Sequence, residues 1–360
     1  MPSFLTTSSF GILPAAILAV AIATSAVANH RVYVPLGSDD KIVIVDPGTN
    51  AIVGEIDGLA AVHGLAGTPD GRYLVAGSYD ERPAGKAPAK PKGITANEHA
   101  AHHAPKSQDE AGKATVSTLT VLSVPAHAVV RRIDVPGAVH HVAVAPSGRF
   151  VIATQPGENA ITIVDLGNYS VVTTIATGPL PNYAKFSPDG ARAYVSNAGN
   201  GTISEIDTKR WIVRRNYLAG NSPEHIVLSR NGGTLYANNV DDGTVSVINT
   251  SSGETVKTIP IGGRLHGIDL SDDGQTLFVA AMDENKVVAV NLRGNTYRSV
   301  RTNPAPYHLT AIKGGKLYVA SAEEPKAWVI DQSTMTIADE IPIGGKGHQM
   351  VQAPGKAHSQ

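Results

Sequence analysis

Short segments in which apolar and polar residues alternate recur along the chain in groups of four. Residues 142–144, 277–279, 244–249 and 256–259 exemplify the four members of a group. They are rich in β-branched residues, and Gly, Asn and Asp separate them, which is typical of β-strands joined by tight turns. The pattern therefore predicts an all-β chain made of repeated four-stranded units.

A recurring pair of residues measures the repeat. Each unit contains a turn such as Pro-Asp-Gly, and we define the register as the residues seven and six positions before the turn Asp or its equivalent. The register pairs are His63-Gly64, His140-His141, Asn182-Tyr183, Glu224-His225, His266-Gly267, Tyr307-His308 and His348-Gln349. Successive pairs are 77, 42, 42, 42, 41 and 41 residues apart, so the first interval contains an insertion, at about residues 80–113. Four strands every ~40–45 residues indicate a β-propeller blade.

The two ends of the repeat region complete each other. Residues 31–57 supply the second, third and fourth strands of a blade, and residues 348–353 supply a first strand. Pairing of these N-terminal strands with the C-terminal strand would close the ring and remove its free sheet edges. We therefore predict one seven-bladed β-propeller with four-stranded blades over residues 29–360, carrying the insertion as a loop.

Residues 1–28 have the features of a signal peptide. An apolar run covers residues 12–23, and Ala26-Val27-Ala28 matches an A-x-A cleavage motif. We expect a periplasmic or secreted protein with no membrane span after signal cleavage. The chain has no cysteine, which excludes disulfides and thiolate ligands, and its net charge of −1 gives no indication of a nucleic-acid partner.

Three phrases in the second strands resemble a known repeat. Tyr194-Val195-Ser196-Asn197, Tyr236-Ala237-Asn238-Asn239 and Tyr318-Val319-Ala320-Ser321 are similar to the repeat of the YVTN propeller family. The resemblance covers nearly the whole chain after the signal peptide. It implies the propeller fold and says little about function, because propellers are scaffolds for unrelated activities.

Histidines are concentrated at the register. The chain has 13 histidines in 360 residues, so random placement would put fewer than one in the fourteen register positions. Seven are found there: His63, His140, His141, His225, His266, His308 and His348. First strands of propeller blades are innermost, so residues just before them converge at one mouth of the central channel. A metal centre is the sharper interpretation, and a hydrogen-bonded ring of histidines without metal is the alternative.

Copper is the metal that this pattern favours. Crowded imidazoles resist protonation, and the neutral form is the metal ligand. Sites made of imidazole without thiolate suit copper, zinc, iron or nickel, and more than four imidazoles exceed the needs of one tetrahedral zinc. Export to an oxidising compartment favours copper, and a multinuclear centre would use all of these imidazoles. Zinc is the alternative.

The arrangement resembles two families of copper-containing propellers. Nitrous-oxide reductase and thiocyanate dehydrogenase carry a crown of histidines at the channel mouth, and an adjacent His-His pair that opens an innermost strand is similar to His140-His141. The resemblance implies a multinuclear copper site. This chain departs from nitrous-oxide reductase because it lacks the cupredoxin domain and the cysteines of the electron-entry copper site. We therefore do not expect nitrous-oxide reduction from this chain alone.

The seven histidines occupy two neighbouring register positions, four at the first and three at the second. Neighbouring residues of a regular strand point to opposite faces. All seven can therefore converge only if the first strands begin irregularly. With regular strands, four or five histidines would bind metal and the others would orient them.

Other polar residues are candidates for accessory roles. His99, His102 and His103 lie in the insertion, which is either a lid or metal-delivery arm or a loop with incidental histidines. Glu224 is a candidate catalytic proton acceptor or an oxygen ligand. Tyr183, Tyr307 and Arg264 are candidate residues of the cavity wall. Simple packing of the tyrosines and solvated loop charges for Glu224 and Arg264 are the alternatives.

These observations leave four functional hypotheses. The first is an exported copper-binding propeller, an oxidoreductase acting on a small-molecule substrate. The second is a periplasmic carrier or reservoir of copper or zinc that works with a metal-exchange partner. The third is a metal-free interaction module of the YVTN type, and the fourth is a tetrapyrrole-handling propeller similar to d1-haem domains.

Overall fold

Seven antiparallel sheets of four main strands are arranged in a ring as the blades of a propeller. The structure is a computed structural model, which describes residues 30–85 and 115–354. Within these residues the helical elements are two 3₁₀ helices, Gly37–Asp39 and Pro156–Glu158. The prediction of a seven-bladed propeller is confirmed.

Blades 1 to 6 are each built from consecutive strands. Blade 1 contains β4 (Val62–Gly67), β5 (Tyr73–Ser78), β6 (Arg82–Pro83), β7 (Thr115–Ser123) and β8 (Ala128–Pro136). Blade 2 contains β9 (Val142–Val144), β10 (Phe150–Gln155), β11 (Ala160–Asp165) and β12 (Ser170–Ala176). Blade 3 contains β13 (Pro181–Phe186), β14 (Arg192–Asn197), β15 (Thr202–Asp207) and β16 (Ile212–Leu218). Blade 4 contains β17 (Pro223–Leu228), β18 (Thr234–Asn239), β19 (Thr244–Asn249) and β20 (Thr255–Pro260). Blade 5 contains β21 (Leu265–Leu270), β22 (Thr276–Ala281), β23 (Lys286–Asn291) and β24 (Thr296–Arg301). Blade 6 contains β25 (Pro306–Ile312), β26 (Lys316–Ser321), β27 (Lys326–Asp331) and β28 (Thr336–Pro342).

Blade 7 joins the two ends of the described chain. It contains β1 (His30–Leu36), β2 (Lys41–Asp46) and β3 (Ala51–Asp57) from one end and β29 (Val351–Pro354) from the other. Strand β29 pairs with β1 in antiparallel register, from Tyr33 opposite Val351 to His30 opposite Pro354. The predicted closure of the ring by the C-terminal strand is therefore confirmed.

The core is divided among the interfaces between blades. Seven clusters of buried apolar side chains are found in the described residues, and each draws its members from two neighbouring blades. In blade 2, for example, Val151 and Val164 pack against blade 1, whereas Ile152 and Ile163 pack against blade 3. Because neighbouring strand residues point to opposite faces, one run of apolar residues fills both interfaces.

The first strands lie side by side around the central axis. Strand β13 contacts β17, β17 contacts β21, and β21 contacts β25. We call the end of the ring where these strands begin the loop face, and the end where they turn into the second strands the turn face. The insertion leaves blade 1 after β5, on the loop face, and its residues 86–114 lie outside the described part of the chain. No helix in the described residues has the length and apolar character needed to span a membrane.

Candidate metal centre

The seven register histidines form one cluster, which we call the histidine crown. Each is at most 4% exposed. Ring centroids are 4.1 Å apart for His63 and His348, 4.7 Å for His63 and His140, and 4.1 Å for His140 and His141. The chain of contacts continues through His225, which lies 4.9 Å from His141 and 4.4 Å from His266. The structure thus brings all seven imidazoles to one buried place on the axis.

Irregular strand starts explain how two neighbouring positions converge. The pairing between first and second strands shifts at the register in blades 1, 3, 4, 5 and 6, for example between Leu265 and Ile268 in blade 5. In blade 2, His140 and His141 precede β9 altogether. Because a shift adds residues to one strand and bends it, side chains at both register positions reach the axis. The first strands thus begin irregularly, as convergence of all seven histidines requires.

Two register glycines make room for this packing. A Cβ atom on Gly64 would lie 2.9 Å from the His140 carbonyl oxygen and from the His141 Cα. A Cβ atom on Gly267 would lie 2.6 Å from the Leu309 nitrogen and 2.7 Å from the Tyr307 oxygen. In these blades the histidine occupies the first register position, and the second position faces the backbone of the next blade.

Backbone carbonyl groups orient several of the imidazoles. His63 Nδ1 lies 2.7 Å from the His140 oxygen, and His141 Nδ1 lies 3.0 Å from the Asn182 oxygen. The Asn182 oxygen is also 3.3 Å from His140 Nδ1. A carbonyl can only accept, so Nδ1 carries the proton and Nε2 carries the lone pair of these rings. His141 Nε2 has no hydrogen-bond partner among the described residues, as a nitrogen available to a metal ion would require.

Polar residues in the second strands hold the register segments, and sequence reasoning did not identify this role. Thr154 donates to the Asn182 oxygen at 2.7 Å. At the corresponding positions of blades 3 and 4, Ser196 donates to the Glu224 oxygen and Asn238 to the His266 oxygen. Each side chain thus ties one blade to the register of the next. A polar residue at the same position of three second strands is the signal that could have revealed them.

Burial keeps four of the crown imidazoles neutral. It lowers the pKa of His63, His141 and His308 well below the ordinary value, and neighbouring histidines lower it further. Burial lowers the pKa of His140 to about 3, against the opposing effect of its hydrogen bond to Asn182. Neutral imidazole is the form that binds metal ions, so these histidines can act as ligands at neutral pH without repelling a cation.

Three groups of histidines have the spacing needed to hold a metal ion. They are His63, His140 and His141; His63, His308 and His348; and His141, His225 and His308, and within each group the candidate ligand atoms lie within 4.8 Å of one another. Any two groups share one histidine, either His63, His141 or His308. These three shared imidazoles form a triangle, and each side of the triangle belongs to one candidate metal position.

His266, the seventh histidine, links the crown to the predicted accessory residues. Its Nε2 lies 3.4 Å from His308 Nε2, and its ring stacks on Tyr307 with centroids 3.7 Å apart. Its Nδ1 lies 3.5 Å from the Glu224 carboxylate. Burial, and to a smaller extent Asp241, raise the pKa of Glu224 to about 7. The structure places Glu224 and Tyr307 against the crown, whereas the catalytic role of Glu224 stays a prediction.

The remaining predicted residues divide into three cases. Tyr183 contacts the crown, with its ring 4.6 Å from His141 and 4.8 Å from His225. Arg264 is largely exposed and pairs with Asp283 at 3.0 Å, as expected of a loop charge. The three histidines of the insertion, His99, His102 and His103, lie outside the described part of the chain.

Two further residues complete the walls of the crown, and neither was predicted from the sequence. Tyr79, 1% exposed, lies at the start of the insertion with its ring 4.4 Å from His63. Gln349 spans the channel beneath the crown. Its Oε1 accepts from the Leu65 nitrogen at 3.0 Å, and its Nε2 donates to the Val142 oxygen and the Tyr183 hydroxyl, each at 3.1 Å. Gln349 occupies the register position beside His348, which was a signal for its location.

The chain is structurally similar to propellers of different activities. No family model and no curated protein matches it, so membership of the YVTN family stays a prediction. Kuenenia stuttgartiensis hydrazine synthase is 17% identical with a TM-score of 0.65, covering 83% of this chain and 91% of that chain. The periplasmic gluconolactonase PpgL of Pseudomonas aeruginosa is 14% identical with a TM-score of 0.70, covering 90% of this chain and 99% of that chain.

A third similar structure is the dihydro-heme d1 dehydrogenase NirN in complex with DHE. It is 14% identical with a TM-score of 0.63, and the match covers 87% of this chain but 63% of that longer chain. At such identities these likenesses define the fold alone. The fold and the site together define a seven-bladed β-propeller whose axis holds groups of buried histidines that could bind metal.

Proposed function

We propose that this chain is an exported copper-binding propeller, a redox enzyme with a multinuclear centre in the histidine crown and a small-molecule substrate. The observation that carries the proposal is the three interlocking histidine groups. Within each group the candidate ligand atoms lie within 4.8 Å of one another, which is the spacing that a shared metal ion needs, and neutral imidazole is the ligating form.

The number of histidines favours more than one ion, although the three groups share members. Where Nδ1 donates to a carbonyl, an imidazole offers one ligating nitrogen, so two ions cannot both take a full set of three histidines from overlapping groups. Six histidines can instead be divided into three pairs, one pair per group: His63 with His140, His141 with His225, and His308 with His348. Ions held by two imidazoles each would need further ligands, which a substrate or a bridging anion would supply.

Imidazole without thiolate suits copper and zinc alike, but more than four imidazoles exceed the needs of one tetrahedral zinc ion, and this favours copper. Bound copper would supply one-electron redox chemistry. The protein's own residues would hold the ions, keep water out of the crown and, at the Glu224 carboxylate, accept or deliver a proton beside His266. The A-x-A motif at residues 26–28 and the periplasmic location in the name of PpgL support export.

A carrier or reservoir of copper or zinc is the main competing function. Release of an ion to a partner requires ligands that the partner can reach. The crown histidines are at most 4% exposed, and this burial favours a resident centre over a site of rapid exchange. Slow loss of metal to a chelator would support the enzyme, whereas release within seconds would support the carrier.

Metal content tests the proposal directly. We expect the full chain, purified from an exported compartment, to contain about two to three copper ions per chain. His141→Ala removes a histidine that belongs to two of the three groups and should lose at least half of the metal. The matched control is His127→Asn, outside the crown, at a positive φ that asparagine tolerates. Absence of metal in every sample, with no uptake of copper or zinc on reconstitution, would overturn the proposal.

A further inference from the structure

A polar cavity lies directly beneath the crown. Its volume is about 380 Å³, and His225 and His308 are part of its wall. We call this cavity the vestibule. Its polar lining also includes Tyr183, Lys185, Asp269 and Thr310. Lys185, Asp269 and Thr310 are not part of the crown, so the vestibule has polar groups of its own.

The vestibule opens away from the insertion. Its wall includes Gly67, Val144 and Phe186, the last residues of three first strands, and Pro146 in the turn that follows β9. It therefore extends from the crown along the axis to the turn face. A small molecule could reach His225 and His308 by this route without passing the loop face.

Lys185 provides a positive charge inside the vestibule. It is half-buried, and in residues 30–85 and 115–354 its ammonium forms no ion pair within 4.0 Å and no hydrogen bond. The ammonium lies 5.7 Å from the centre of the Tyr183 ring. Tyr183, and to a smaller extent Asp269, raise the pKa of Lys185 against the effect of burial, so the group is charged at neutral pH.

Asp269 does not neutralise this charge at contact distance. Its carboxylate accepts from the backbone nitrogens of Ala311 and Leu270, each at 2.9 Å. Burial raises the pKa of the Asp269 carboxyl group, and Lys185 and these two hydrogen bonds oppose that effect. The Asp269 carboxylate thus accepts its hydrogen bonds from the channel wall. The N–H donors of Lys185 stay available to a ligand.

We propose that the vestibule binds a small inorganic anion, which Lys185 holds beneath His225 and His308 and which enters from the turn face. This inference rests on the proposed function, because metal ions in the crown would be the second positive group that the anion contacts. An anion between a metal centre and an ammonium would be desolvated on two sides, and charge-assisted hydrogen bonding would compensate for the lost water. A bridging anion would also complete the coordination of ions that have two imidazoles each.

Azide is a suitable probe for the copper-loaded protein. Its binding can be followed by the ligand-to-metal charge-transfer absorption that appears on titration. Lys185→Met should weaken azide binding about ten- to hundredfold, the range for loss of one charged hydrogen bond. Lys185→Arg should recover part of the affinity, and Lys209→Met, on the exposed turn after β15, should change nothing. Copper content equal to that of the unmodified protein must accompany each result.

Equal azide affinity in Lys185→Met and in the unmodified protein, at equal copper content, would overturn the proposal. A second experiment keeps the vestibule testable without metal. The chain has no cysteine, so Thr310→Cys introduces a single thiol into the vestibule. Its rate of modification by a negatively charged methanethiosulfonate reagent should fall several-fold when Lys185→Met is added, whereas the rate for a neutral reagent should not change.

The two experiments separate failure of this inference from failure of the proposed function. If the crown binds no metal but the thiol reacts with the expected dependence on Lys185, the vestibule is an anion site and the metal proposal is wrong. A thiol that reacts with neither reagent in the folded protein would show that the vestibule is closed to solutes. Equal rates for the anionic reagent with and without Lys185 would show that this residue attracts no anion.

Discussion

Burial holds four of the crown imidazoles in the neutral form, and their neutrality ties the protein's stability to pH. Burial is the largest cause of the lowered pKa of His63, His140, His141 and His308. In the unfolded chain the same rings would have a pKa of about 6.5. The unfolded state therefore binds more protons than the metal-free folded state below that pH.

The metal-free protein should lose stability as the pH falls below about 6.5. The sign follows from the lowered folded-state pKa, because the stabilisation is fully present above the unfolded value and is lost as protons bind the unfolded chain. Each such histidine contributes about 1.4 kcal/mol per pH unit, for His140 down to its folded pKa of about 3. Urea unfolding at pH 7.5, 6.0 and 5.0 measures the slope, and His140→Gln should reduce it. A free energy of unfolding that is constant between pH 7.5 and 5.0 would contradict this prediction.

At the scale of the strand, the blades were predictable and the shape of their first strands was not. Period-two apolar segments and the 42-residue spacing predict segments such as Lys41–Asp46 and Thr244–Asn249, and both coincide with strands of the structure. The register shifts arise from pairing between two strands and from the approach of the next blade. A single segment does not encode them. Lys185 and Asp269 were missed for the same reason, because only the closed ring places blades 3 and 5 across one channel.

Gly267→Ala should disturb the first strand of blade 5 and the crown together. The new methyl group would lie 2.6 Å from the Leu309 nitrogen and 2.7 Å from the Tyr307 oxygen, which are backbone atoms of β25. Overpacking of this kind costs about 1–3 kcal/mol, so we expect a lower midpoint in urea and a reduced metal content. Gly294→Ala is the matched control, since its Cβ would meet nothing nearer than 3.5 Å. Equal stability and equal metal content of the two variants would show that the backbone at Gly267 can move enough to accommodate the methyl group without cost.

At the scale of the molecule, the crown depends on closure of the ring. The core is spread over seven interfaces, and each holds only two blades together. With no cysteine in the chain, the join between its two ends is non-covalent. It consists of β29 pairing with β1, a bridge between Leu36 and Gly347, and a hydrogen bond from the His348 nitrogen to the Pro35 oxygen. His348 therefore belongs both to the closure and to the candidate metal centre.

Truncation after Lys346 tests the role of the C-terminal segment in closing the ring. It removes β29, His348 and Met350, and it exposes the edge of β1. Burial of the Met350 side chain alone stabilises the fold by about 1.5–3 kcal/mol. We expect a lower free energy of unfolding and a broader urea transition, because blades 6 and 7 would then be joined only by their apolar interface, without the chain that continues through β29. A chain ending at Pro354 keeps all of β29 and serves as the control. His348→Ala in the full chain should keep the sharp transition and lose only metal affinity. If the truncated chain unfolded as cooperatively as the control, closure by β29 would not be what joins the seven blades into one unit.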